Sequence, residues 1–141
     1  MSATLYVNFP EITYGECKCF AIPKHILGSG YCSDVSEGSV EIGNITGNLV
    51  EMCSHVPVKC RGDEVTLADA IWNVGKFGYM TNEVLDMYRQ AKAFVLKNDE
   101  MLSQYNSPNG WGSVSSLREF LWHAAEILEV FEGFPCHVVR C

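Results

Sequence analysis

Apolar and polar residues alternate from Thr4 to Phe9, with Leu5, Val7 and Phe9 on one side, which is the period-two pattern of a strand. Cys17 to Ile22 reads as a second strand ended by Pro23, and the Tyr14-Gly15 turn between the two runs predicts a hairpin. Residues 24–39 are rich in glycine and serine and poor in apolar residues, a loop composition. Val40-Glu41-Ile42 is the right length and pattern for a short third strand.

The period then changes. Leu49, Met52, Cys53 and Val56 recur at helical spacing, with Asn44 or Thr46 in place to cap the helix start and Pro57 to end it. Thr66-Leu-Ala-Asp69 resembles a capping box and opens a brief helix through Ile71 and Trp72, after which Gly75 and Gly78 break the chain. A helix starting near Thr81 carries the stripe Val84, Tyr88, Ala91 and Val95, widened by Leu85 and Phe94. Asn106 to Gly112 is a turn. A last helix, with Ser116-Leu-Arg-Glu119 as its capping box, lines Leu117, Phe120, Leu121, Ala124, Leu128 and Phe131 on one face and ends at Gly133. His137 to Arg140 returns as a final strand. Strands, then helices, then one strand predict an α+β fold in a single domain over residues 1–141, a small antiparallel sheet packed on one face by three to four helices.

Composition narrows the function classes. The chain has 141 residues, 48% hydrophobic and 19% charged, the values of a globular domain that needs no staples. No apolar run reaches the ~18 residues of a membrane span, and the Met1-Ser2-Ala3-Thr4 start does not read as a secretory signal. The net charge of −7 disfavours a broad duplex-binding surface, so no nucleic-acid duplex and no membrane is expected as a partner. Seven cysteines, an odd number, point to free thiols in a reducing cytoplasm.

No familiar catalytic arrangement is present: there is no nucleophile elbow, no His-Glu-x-x-His and no Gly-rich cofactor fingerprint, so no catalytic residue and no cofactor is assigned. Cys17, Cys19, Cys60, Cys136 and His137 lack the Cys-x-x-Cys pair usual in zinc sites, and no metal is expected. Cys53 lies on an apolar stripe and points away from His55, which favours an inert buried thiol. His123 borders the apolar stripe of the last helix, and Glu126, Glu129 and Glu132 mark its solvated face.

Two segments carry the candidate site. Asn44, Thr46 and Asn48 stand where a helix begins, as caps or as ligands for an anion at the free N–H groups. Asn109, Gly110 and Trp111 form a tight turn in which Trp111 either anchors the turn on the core or offers a stacking platform.

Asn44-Ile-Thr-Gly-Asn48-Leu-Val-Glu-Met52, Tyr105-Asn-Ser-Pro-Asn-Gly-Trp-Gly112 and Phe134-Pro-Cys-His-Val-Val-Arg140, in that order, resemble the motifs of a family of small uncharacterised bacteriophage and prophage proteins. The resemblance spans residues 44–140. The chain departs from it by Ser107, inserted between Asn106 and Pro108, and by a Cys-rich N-terminal third that has no counterpart. The resemblance implies a phage-associated setting in the cytoplasm of a bacterial host, not a mechanism. By analogy with that setting, the expected role is a non-catalytic binding protein that inhibits host defence. It would occlude a defence protein or sequester a small anionic, nucleotide-like signal. The alternatives are a small nucleotide-acting hydrolase and an accessory or structural factor without a ligand, and a homo-oligomer is left open.

Overall fold

The Thr4–Phe9 alternation forms the centre of a three-stranded antiparallel sheet. The computed structural model describes residues 2–14, 17–20, 38–134 and 136–141, with residues 11–14 and 17–20 by their backbone path alone. Strand β1 (Ala3–Asn8) buries Ala3, Leu5 and Val7 on one face. It pairs with β4 (Ser39–Ile45) on one side and with β7 (His137–Arg140) on the other, in the order β4-β1-β7.

The register along β4 is not uniform. Leu5 faces Gly43 but Tyr6 faces Glu41, so Ile42 is the extra residue of a β-bulge. The bulge has a packing reason. Ile42 and Ile45 are three apart and would point to opposite faces of a regular strand, yet both are buried with Val40. Asn44 is left on the other face, opposite Thr4, where its Nδ2 donates to Thr4 Oγ1 at 2.6 Å.

The strand therefore runs past Ile42, and Asn44 is a strand residue rather than a helix cap. Thr46 caps a single 3-10 turn (Gly47–Leu49) by accepting from the Asn48 N–H at 3.4 Å, and a short helix α1 (Val50–Ser54) follows. Pro57 does not merely end that helix but opens strand β5 (Pro57–Cys60). With β6 (Asp63–Thr66) it makes a hairpin whose two-residue turn, Arg61-Gly62, has φ of 55° and 80°.

The expected hairpin near Gly15 also takes a different first arm. Cys17–Phe20 (β3) pairs with Glu11–Tyr14 (β2), while β1 is occupied by β4 and β7. Ala21 to Pro23, and the loop expected from residue 24, lie outside the described residues until Gly38.

The Thr66 capping box is as the sequence predicts: Thr66 and Asp69 exchange hydrogen bonds and start α2 (Leu67–Trp72). A single turn, α3 (Val74–Phe77), leads to α4 (Thr81–Lys97), which buries Val84, Leu85, Tyr88, Ala91 and Val95. Short α5 (Asp99–Ser103) precedes α6 (Val114–Val130). Here the cap shifts by one turn. Ser113 is the N-cap, its Oγ accepting from the Ser116 N–H at 3.2 Å, so Ser116 is the third helical residue and not the cap. The predicted stripe from Leu117 to Phe131 is buried throughout.

Among the described residues six helices stand where three to four were expected: α3 runs through Gly75, which the sequence reads as a break, and Asn98 separates α5 from α4. The fold is mixed α+β, with helices α2, α3, α4 and α6 all contacting the three-stranded sheet. None of the described helices is long and apolar enough to cross a membrane.

Candidate functional site

The end of β4 and the first half of α6 stand side by side and leave a cleft of about 410 Å³ between them. Its depth comes from a close approach. A Cβ at Gly43 would sit 3.0 Å from Phe120 Cε2, so only glycine lets the Phe120 ring lie against the strand. Ile45, Leu49 and Phe120, all buried, form the floor. Asn44 and Thr46 from the strand end, and Ser116, Glu119 and His123 from α6, form the polar rim. Ser116, Glu119, Phe120 and His123 fall three, four and seven residues apart, which is one face of a helix.

That arrangement is poorly suited to nucleophilic catalysis. Ser116 and His123 are seven residues apart, about 10.5 Å along the helix axis, too far for a hydroxyl to pass its proton to the imidazole. Ser116 Oγ is also within 3.2 Å of Ser113 Oγ. The thiols of Cys53, Cys60 and Cys136 are not activated either. Burial alone holds the Cys53 thiol far above its ordinary range. Cys60 is also raised, first by burial and then by its contact with Glu83, whose Oε2 accepts from Sγ at 3.5 Å. His55 lies on the surface, stacked on Tyr105 with ring centroids 4.3 Å apart, and does not pair with the buried Cys53. Among the described residues no group of three or more His, Cys, Asp or Glu side chains is placed to hold a metal ion.

The two Asn-containing segments meet, but not as one concave site. Asn48 Nδ2 donates to the Trp111 carbonyl oxygen at 3.5 Å. A Cβ at Gly112 would lie 3.2 Å from Leu49 Cδ2 and 3.3 Å from Asn48 Cβ, so the loop is seated directly on the 3-10 turn. Asn44 and Thr46 line the cleft, Asn48 bridges, and Asn109, Gly110 and Trp111 stand outside the cleft lining.

Within the loop the polar groups are engaged internally. Asn109 Oδ1 accepts from the Trp111 N–H at 2.9 Å and from the Ser107 hydroxyl. Gly110 N–H donates to the Ser107 carbonyl at 3.0 Å, and Ser107 N–H to that of Gly112 at 2.7 Å. Asn106 Oδ1 accepts from the Val114 N–H at 3.0 Å, which fastens the loop to the start of α6 and occupies a donor that an anion would have used. Asn109 is thus a turn residue. The Trp111 ring, in contrast, does not anchor the turn on the core: it is 74% exposed.

Ser116, Glu119 and His123 were not singled out together by sequence. Their common spacing along the border of the α6 stripe was the available signal, but which strand that border faces is a long-range matter. Comparison with known protein families, curated proteins and solved structures gives no match to this chain.

Proposed function

We propose that the protein is a non-catalytic binding protein, phage-encoded and acting in the cytoplasm of the bacterial host, that inhibits a host defence protein by occluding it. The observation that carries this reading is Trp111: an indole 74% exposed on a loop whose described polar groups already hold one another. A large aromatic side chain presented on a braced loop gives up little conformational freedom when a partner covers it, which is the usual character of an interface hot spot. The net charge of −7 favours a partner with a basic face.

Occlusion is favoured over capture of an anionic nucleotide by the lining of the cleft. It contains the Glu119 carboxylate and neither lysine nor arginine, so a phosphate would meet a like charge and no Lys or Arg side chain to pair with it. The lack of a nucleophile–base pair among the described residues counts against the hydrolase reading.

The test is phage plating on hosts that carry individual defence systems, with the wild-type protein or Trp111→Ala expressed to equal levels. Wild type is expected to relieve at least one system and Trp111→Ala to relieve none, with equal melting temperatures. Equal relief by both proteins overturns the role of Trp111. Relief by neither, across the systems tried, removes the counter-defence reading.

A further inference from the structure

The cleft between β4 and α6 is not used by the Trp111 surface, yet it is the size of a small-ligand site, since such sites begin at about 300 Å³. Its composition selects the ligand. The floor of Ile45, Leu49 and Phe120 is apolar and suits the face of a planar ring.

The rim carries one carboxylate, Glu119, beside the hydroxyls of Thr46 and Ser116 and the His123 imidazole. Glu119 offers two carboxylate oxygens and makes no ion pair among the described residues. No lysine or arginine stands in the lining to receive a phosphate.

A flat ligand with adjacent N–H donors meets these demands, because two parallel N–H···O bonds to one carboxylate are both directional and strong. Guanine presents such a pair on its Watson–Crick edge, from its ring N–H and its amino group. Adenine, with an amino group beside an unprotonated ring nitrogen, would set that nitrogen against the carboxylate. We propose that this cleft binds a guanine base in its nucleoside form, with Glu119 accepting from the donor edge and the Phe120 floor against the ring.

A guanidinium group offers the same donor pair without the large ring, so the ligand panel must separate the two. The intact protein is titrated by calorimetry with guanosine, adenosine, guanosine monophosphate, inorganic phosphate and arginine amide. Guanosine is expected to bind, adenosine and phosphate not to bind, and the monophosphate to bind no more tightly than guanosine. Glu119→Gln is expected to weaken guanosine at least tenfold. The side chain is exposed, so this variant should melt with wild type. Trp111→Ala is expected to bind guanosine unchanged, which keeps this site separate from the proposed protein-binding surface. Absence of guanosine binding at millimolar concentration, unchanged affinity in Glu119→Gln, tighter binding of the monophosphate, or binding of arginine amide in place of guanosine would each overturn the assignment.

Discussion

Arg61 grips Glu83 with two nitrogens, Nε to Oε2 at 2.6 Å and Nη2 to Oε1 at 2.8 Å, across a hairpin turn and a helix start that are 22 residues apart in sequence. The same guanidinium donates to the carbonyls of Phe77 and Gly78, each at 3.3 Å, and lies over the Tyr79 ring. Glu83 Oε1 also accepts from the Met80 N–H at 3.1 Å. One carboxylate thus closes the β5–β6 turn onto the start of α4, and Arg61 holds the left-handed backbone it needs to do so (φ 55°).

Those bonds, Arg61 first, hold the Glu83 carboxyl down to about 2, against 4.5 for an ordinary glutamate and against the opposing effect of burial. A carboxyl depressed in the folded state stabilises it above the unfolded value, and that contribution is lost as pH falls through the folded value. The melting temperature of wild type should therefore exceed that of Glu83→Gln at neutral pH, and the gap should close between pH 4.5 and about 2. A gap that persists unchanged to pH 2 would show that the ionised carboxylate is not what holds the turn.

The thiols of Cys53, Cys60, Cys136 and Cys141 should react in the order of their exposure. Cys141 is exposed, Cys60 half-buried, and Cys53 and Cys136 fully buried. Burial pushes the Cys136 thiol up to about 11, so almost none of it is thiolate at neutral pH. Alkylation of the native protein, mapped by peptide mass spectrometry, is expected to mark Cys141 before Cys60 and to reach Cys53 and Cys136 only after unfolding. Early labelling of Cys53 would mean that the α1 stripe opens readily.

Gly43→Ala puts a methyl group 3.0 Å from Phe120 Cε2 and 3.1 Å from Cδ2. The ring is buried against the strand and has to shift, so the variant should lose about 1–3 kcal/mol of stability. Urea denaturation measures this directly. Full stability would show that Phe120 has room to move, and with it that the floor of the cleft is soft.

What the sequence made legible was local. The Thr66–Asp69 capping box and the stripes of α4 and α6 depend on residues three or four apart, and each stripe is buried as read except at Phe94, which is half-buried. The end of β4 depends on a partner 40 residues away. Asn44 is as good a cap as it is a strand residue, and only Thr4 opposite decides which. The β5–β6 hairpin hid for another reason: Pro57 reads as a helix stop, and β6, Asp63-Glu-Val-Thr66, buries no side chain fully, so only the short Val58–Cys60 alternation was there to detect. Ser113 and Ser116 are both fit to cap α6, and Asn106 helps select the earlier start by accepting from Val114. For the site, the residue types at Asn48 and Trp111 were readable, but their meeting across 63 positions was not.

Leu121→Ala tests the central packing claim. Leu121 is fully buried on α6, and truncation at such a site costs about 2–5 kcal/mol. A melting temperature equal to wild type would mean that α6 presents a different face to the core.

The sharpest contrast lies in two neighbouring residues of one loop. Gly112 touches the molecule: a methyl there would fall 3.2 Å from Leu49 Cδ2 and 3.3 Å from Asn48 Cβ, and Leu49 is buried and cannot swing away. Gly112→Ala should therefore lift the loop off the 3-10 turn and cost about 1–3 kcal/mol. Trp111 touches solvent, so Trp111→Ala should change stability by no more than about 0.5 kcal/mol, the usual range for a surface position. Size alone predicts the reverse, since indole to methyl is by far the larger change. Chemical denaturation of the two variants side by side decides between them. A destabilised Trp111→Ala with an unaffected Gly112→Ala would mean that the indole packs inward and serves the fold, and the ring could then no longer be the exposed group offered to a partner.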